Sequence, residues 1–392
     1  MKFADRVRRV QPSPIMAMIR TMGERPLINL ASGLPDPAGF PVKALQEAAA
    51  RLFDEDWRGG LQYGEGEGYR PLREWVAADL TARGVPTEAD RVLITNGSQQ
   101  AIDLVARAFL QRGDVVLTEN PTYLAALQAF ASFEATVRAI PMDEDGLDPE
   151  AAARALVQPG VKLLYLMPNH QNPSGRTLAP TRRAAILRAA AAAGVPVVAD
   201  EAYLHLRYDP GEPALLSAAD PAAPVISAGT FSKIVAPGLR VAWLAGPPEV
   251  MERLMLLKQV TDLQPNSFTQ RLVHRYLLTG ELPGQIAALR GAFQKKRDVF
   301  LEALERRLGK RASWTRPAGG MFLLLRLKDG SSATSLLPRA LEHGVAFVPG
   351  AAFFPGGDGE ATMRLNFVSA PVSDLDEGVA RLAAAMEQDV ER

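Results

Sequence analysis

From Arg91 onward the chain alternates short runs of β-branched and apolar residues with longer stretches at helical spacing. Few folds accept that pattern, because strands separated by covering helices build a mainly parallel sheet. Strands are expected at 91–95, 114–118, 134–139, 161–166, 195–199, 224–228 and 240–245, giving a seven-stranded sheet. Helices at 98–111, 121–132, 149–157 and 180–193 separate the first five. The C-terminal part differs. Helical runs from Pro248 to about Leu308 lead into RPAGGMFLLLRL, a helix near 332–342, AFVPGAAFF and MRLNF, which reads as a smaller α+β unit. The expected division is an N-terminal arm and part of the small domain in 1–45, a large domain in 46–285 and a small C-terminal domain in 286–392, with the helix around 285–308 as the bridge.

Sheets of this kind bind ligands beyond the carboxyl ends of their strands. After the first strand comes NGSQQ, a glycine turn into a helix, where the free amides of Ser98 and Gln99 can hold an anion. Tyr123 follows the second strand, Asn172 in NHQNPSG the fourth, Asp200 with Tyr203 the fifth, and Lys233 the run at 224–228. Polar residues from separate strands thus meet at one edge, as a shared site requires. In TFSKIVAPGLR, Lys233 stands between small hydroxyl residues and Arg240. A lysine that is partly desolvated beside another cation favours its neutral amine, which is the nucleophilic form. Thr230, Ser232 and Arg240 add two hydroxyls and a fixed cation suited to a phosphate, each charged hydrogen bond contributing about 1.5–3 kcal/mol. Lysine beside phosphate ligands suggests pyridoxal phosphate. An ordinary loop lysine and arginine would fit this stretch equally well, and it is the convergence of the other residues that favours the cofactor.

Several stretches are less determined. Ile15, Met18, Ile19 and Met22 form an apolar stripe at helical spacing, with Met16 and Arg20 beside it as either a helix edge or a pocket lining. The segment NLASGLPDPAGFP is irregular, and an amide near Gly33 could meet a ligand carboxylate. The glycines of QYGEGEGY do not follow a strand at dinucleotide-binding spacing, so that reading is rejected, while Tyr63 fits a site residue or a buried structural tyrosine. Arg364 at the start of MRLNF would be costly to bury without an anion or a salt-bridge partner. The four histidines show no ligand spacing, so no metal is assigned. Equal numbers of acidic and basic residues, 44 each, give no field that favours nucleic acid or an anionic membrane. A chain without cysteine fits a reducing compartment, and MKFADRVRRVQPSP lacks the apolar core of a signal peptide, so a cytoplasmic location is expected.

The motifs SGLPDP, QYGEGEGYRPLRE, GSQQA, PNHQNPSG, ADEAY, TFSKIVAPGLR, RPAGGMF and MRLNF, in this order and over nearly the whole chain, resemble the fold-type I aminotransferases of class I/II that use pyridoxal phosphate. Within them the chain is most similar to the group of 2-aminoadipate and kynurenine aminotransferases. The resemblance implies that Lys233 is joined to the cofactor aldehyde and later moves the proton at the substrate Cα, with Asp200 facing the pyridine nitrogen. Tyr203 and Asn172 would bond the phenolic oxygen and Tyr123 would stack on the ring. The phosphate would be held by the Ser98 and Gln99 amides, Thr230, Ser232 and Arg240, and by Tyr63 of a second subunit in a homodimer. Arg364, the Gly33 amide and Asn172 would clamp the substrate carboxylate. Some relatives carry an arginine where this chain has Met16, and that arginine meets acidic side chains. Either Arg20 substitutes, or the pocket prefers neutral and apolar amino acids, as a methionine lining favours. A β-eliminating lyase or a decarboxylase would share every cofactor ligand. A cofactor-sensing regulator would carry a DNA-binding domain ahead of SGLP, where only about thirty residues stand, too few for such a core.

Overall fold

A computed structural model describes residues 27–211 and 214–387, together with residues 2, 3 and 7. Met16, Arg20 and the apolar stripe around them lie outside the described residues. In chain order the described strands are β1 (Ile28–Asn29), β2 (Val92–Thr95), β3 (Val115–Asn120), β4 (Thr136–Asp143), β5 (Gly146–Leu147), β6 (Val161–Leu166), β7 (Val197–Asp200), β8 (Val225–Thr230), β9 (Ala242–Ala245), β10 (Ala312–Trp314), β11 (Phe322–Leu327), β12 (Val345–Ala346), β13 (Val348–Pro349) and β14 (Thr362–Asn366).

The large sheet runs in the order β2-β9-β8-β7-β6-β3-β4-β5. Strands β8, β7, β6, β3 and β4 pair in parallel. Strand β9 is antiparallel to both β8 and β2, so β2 points the same way as β8. The carboxyl ends of six strands therefore open on one edge. The sheet has eight strands rather than seven: β4 runs on to Asp143 and turns back through the two-residue β5. A hairpin arm that short leaves no hydrophobic period in the sequence.

Every residue of β2, β7, β8 and β9 is buried, because helices cover both faces. Alternation along the strands divides the core. Leu163 and Tyr165 of β6 face one cluster, with Leu72, Ile102 and Phe300 from the helices Arg70–Ala82, Ser98–Phe109 and Leu282–Leu308. Leu164 and Leu166 face the other, with Leu156, Ile186 and Leu187 from Pro149–Leu156 and Pro180–Ala193. Each large apolar side chain so buried contributes about 1.5–3 kcal/mol relative to exposure.

The first cluster continues into a second, antiparallel sheet of order β10-β11-β14-β13 through Phe322, Leu323, Met363 and Leu365. This shared core sets the small sheet against the open edge of the large one. Strand β1 pairs with β12 and brings the segment after Asn29 to the same place. The expected divisions at 45/46 and 285/286 fall inside the helices Val42–Leu61 and Leu282–Leu308, whose apolar spacing runs through both points.

Candidate active site

The strand ends deliver their polar residues to one cleft. Strand β2 ends at Thr95, and the turn Asn96–Gly97 starts the helix Ser98–Phe109, which no side chain caps. The leading amides of that helix, those of Ser98 and Gln99, are thus left for an anion. Gly97 has φ 86°. A Cβ built on it would run into the Arg240 guanidinium, so the glycine both permits the turn and leaves the cation lying across it. Arg240 itself is held at φ 53° after a 3-10 turn, and donates to the carbonyls of Asn96 and Pro237, each at 3.4 Å.

Thr230 ends β8, and its Oγ1 accepts from the Ser232 amide at 3.1 Å and donates to the Ser232 Oγ at 2.9 Å. That Thr-to-Ser cap begins the 3-10 turn Phe231–Lys233, so both hydroxyls and the lysine leave the strand together. Lys233 Nζ donates to the Gly33 carbonyl at 3.2 Å and lies 6.0 Å from the centre of the Tyr203 ring. This contact uses the carbonyl of Gly33, and the amide expected to meet a substrate carboxylate is a separate group. Burial, with the charges of Arg364 and Arg240 nearby, brings the Lys233 amine down to about 8 against the pull of Asp200.

Asp200 ends β7 and is 2% exposed. Burial raises its pKa, opposed by a hydrogen bond from the Tyr165 hydroxyl to Oδ2 at 2.8 Å and one from the Ala202 amide to Oδ1 at 3.2 Å. Burial is also the main reason that the hydroxyls of Tyr203 and Tyr123 titrate above the ordinary tyrosine range. Arg364, on β14, crosses from the small sheet. Its Nη1 donates to Asn172 Oδ1 at 3.1 Å and its Nη2 to the Ala31 carbonyl at 2.7 Å. Its guanidinium stands 4.3 Å from the Phe322 ring centre and 5.2 Å from that of Phe353, and its Nε has no partner among the described residues. Burial lowers its pKa to about 10, which still leaves it cationic at neutral pH.

Tyr63 stands apart. It is 77% exposed, among Gly64, Tyr69, Ser267 and Arg271, and is therefore not a buried structural tyrosine. The sequence reading missed Tyr165, which sits in the apolar run VKLLYL and looks like core until the aspartate opposite it is known. It also missed Glu119, a buried carboxyl that accepts from the Met167 amide at 2.9 Å and from Gln171 Nε2 at 3.3 Å, and that burial pushes up to about 8.

A phosphate ester with an attached cationic ring fits this arrangement. The uncapped helix start, the guanidinium over Gly97 and the Thr230 and Ser232 hydroxyls are groups that could together cradle an anion. Asp200, buried near Lys233, can take a ring N–H, and Arg364 keeps a donor that no group among the described residues uses.

A model of the family described as aminotransferase class I and II matches residues 25–382. Aromatic-amino-acid aminotransferase 1 of Thermococcus litoralis is 37% identical, over 100% of this chain and 95% of the relative. Among solved structures, the kynurenine aminotransferase of Pyrococcus horikoshii in complex with PMP superposes with a TM-score of 0.95 at 37% identity, over 99% of this chain and 97% of that one. The α-aminoadipate aminotransferase of Thermus thermophilus, complexed with N-(5'-phosphopyridoxyl)-L-leucine, gives 0.91 at 38% identity, over 99% and 98% of the two chains.

Proposed function

The chain belongs to the class I and II aminotransferases, which use pyridoxal phosphate, and on that premise we propose how its own residues divide the transfer of an amino group from an L-amino acid to a 2-oxo acid. When bound, the cofactor supplies an aldehyde that captures the amino group and a ring that accepts the electron pair released at Cα. The protein supplies placement and protons.

The Ser98 and Gln99 amides, Thr230, Ser232 and Arg240 hold the phosphate. Asp200 stays ionised against the ring nitrogen and favours its protonated form. Tyr165 keeps the Asp200 carboxylate oriented, while Tyr203 and Asn172 serve the phenolic oxygen and Tyr123 covers the ring. Arg364 clamps the substrate carboxylate from a position that Asn172, Ala31 and two phenylalanine rings fix in advance. The Gly33 segment closes over the same group. Lys233 takes the proton from Cα and returns it on the opposite side of the transferred nitrogen; an amine with pKa about 8 is suited to both tasks near neutral pH.

One observation carries this reading: Lys233 is a buried amine that feels Arg364, Asp200 and Arg240 together, with its Nζ on the Gly33 carbonyl at 3.2 Å. Tyr63, exposed in one chain, reaches the phosphate of a second chain in a homodimer. A cytoplasmic location belongs to the same reading, supported by a chain without cysteine. The favoured donors are apolar and aromatic amino acids together with glutamate. Met16, standing in the sequence where some relatives carry an arginine, supports this, as do a relative named for aromatic amino acids and a neighbour holding a leucine adduct.

The test is a donor panel of leucine, phenylalanine, 2-aminoadipate and glutamate against 2-oxo acids. Keto and amino products should appear in equal amounts, with parallel double-reciprocal lines for ping-pong kinetics, and Lys233→Ala should abolish transfer. Absence of transfer from every donor would refute the proposal. A strong preference for 2-aminoadipate would refute the apolar pocket.

A further inference from the structure

Asp262 is the last residue of the helix Pro248–Asp262, and three side-chain donors converge on it. Its Oδ1 accepts from Lys258 Nζ at 2.7 Å. Its Oδ2 accepts from Asn96 Nδ2 at 2.6 Å and from Gln100 Nε2 at 2.5 Å. The Lys258 side chain is wholly buried, so Asp262 neutralises a charge that would otherwise be costly. That pairing alone would make Asp262 part of the fold and nothing more.

The other two donors lead elsewhere. Gln100 Oε1 accepts from the Asn96 amide at 2.8 Å, and the Asn96 carbonyl accepts from Arg240 Nη2 at 3.4 Å. Asn96 is thus gripped at its side chain, its N–H and its C=O. The next residue is Gly97 at φ 86°, the most permissive point of the turn. A glycine there leaves the aim of the following amides open unless the residue before it is pinned. Asp262 does the pinning, directly through Asn96 and again through Gln100.

We propose that Asp262 is a positioning residue for anion binding: by fixing Asn96 and Gln100 it sets the direction of the Ser98 and Gln99 amides and of Arg240, and so the affinity of the cradle for a phosphate monoester. The proposal deepens the cofactor assignment above and rests on it. Asp262 also stands at the root of the loop whose Gln264 side chain accepts from the Gly64 amide, next to Tyr63.

The experiment compares the binding of pyridoxal 5'-phosphate, inorganic phosphate and unphosphorylated pyridoxal to apo-protein by calorimetry, with melting temperatures of the same samples. The variants are Asp262→Asn, which keeps size but loses charge, and Gln100→Met, which leaves the Lys258–Asp262 pair intact and serves where Asp262→Asn does not fold. We expect about tenfold weaker binding of both phosphorylated probes in Asp262→Asn and about fivefold in Gln100→Met, with pyridoxal within twofold of wild type. Unchanged phosphate affinity in folded variants overturns the proposal. So does an equal loss for pyridoxal, the result expected of general loosening. Wild-type protein that binds no pyridoxal 5'-phosphate would instead refute the cofactor assignment itself, and this proposal with it.

Discussion

Tyr165→Phe removes one buried hydroxyl and leaves the ring, so it isolates the hydrogen bond to Asp200 Oδ2. The acceptor is a carboxylate that burial already drives toward its neutral form, and the hydroxyl is among the groups that oppose this. Loss of a hydrogen bond to a charged group costs about 1.5–3 kcal/mol. A chain of 392 residues unfolds with an entropy of roughly 0.8 kcal/mol/K, taking about 2.1 cal/mol/K per residue, so the ligand-free protein should melt about 2–4 °C lower. The pH dependence gives a sharper test. Asp200 has a folded pKa above its unfolded value, so ionising it in the folded protein costs stability; the cost is present at high pH and absent once the group is protonated in both states. The variant raises that pKa further, and the melting deficit should be larger at pH 8 than at pH 5. If the same interaction keeps the carboxylate ionised in the working enzyme, kcat falls by roughly tenfold at neutral pH and less at higher pH, since about 1.4 kcal/mol corresponds to one decade. Calorimetry of the apo-protein and steady-state assays of the loaded enzyme read the two effects. Equal melting temperatures at pH 8 with unchanged kcat would show that Tyr165 is core and no more.

Arg364→Lys exchanges a planar donor, stacked near Phe322 and bonded to Asn172 and Ala31, for a point charge, and should lower kcat/KM for amino acids by about 10–100-fold while leaving the affinity for pyridoxal 5'-phosphate within threefold. An unchanged kcat/KM would remove Arg364 from carboxylate recognition. Gly97→Ala puts a Cβ into the Arg240 guanidinium at φ 86° and ψ 163°, a region that costs other residues about 1–3 kcal/mol, so binding of pyridoxal 5'-phosphate should weaken at least tenfold, read by titration of the apo-protein. Lys233 should become reactive as pH rises through about 8, rather than near the ordinary 10.5, because its amine is neutral above its folded pKa. Peptide mass mapping after brief trinitrobenzenesulfonate treatment of the apo-protein at several pH values checks this.

The sequence disclosed what is governed by short-range pattern. Buried parallel strands read as unbroken apolar runs, which placed β6 at 161–166 as observed. A ligand edge at the carboxyl ends of such strands then follows from connectivity, so Ser98, Tyr123, Asp200 and Lys233 could be assigned together. The turn into β5 was hidden because two residues carry no period. Tyr165 and Glu119 were hidden for a different reason: each lies within a strand, and its meaning depends on partners from elsewhere in the chain, Asp200 on β7 for Tyr165 and Met167 with Gln171 beyond β6 for Glu119. Asp262 was least visible. It terminates a surface helix like many other aspartates, and only the fold brings Asn96 and Gln100 to it. Local chemistry is legible in a motif, whereas the groups that aim a motif come from anywhere in the chain.

The charges of the site show why such aiming is needed. Lys233 lies in the field of Arg364, Arg240 and Asp200, while burial drives the carboxyls of Asp200 and Glu119 toward their neutral forms, Glu119 up to about 8. Burial depresses both Lys233 and Arg364, and the Arg364 Nε has no partner among the described residues, so the cleft carries an excess of poorly solvated positive charge. A phosphate dianion and a substrate carboxylate are the groups that relieve it. Their binding free energy adds to folding, about 2.7 kcal/mol at a ligand concentration of 100 times Kd. The cleft therefore trades stability in the empty protein for affinity in the loaded one. That trade yields affinity only where the cations and amides cannot relax toward other partners, which is the physical reason for the bracing of Asn96 beneath Arg240 and of Arg364 between two aromatic rings.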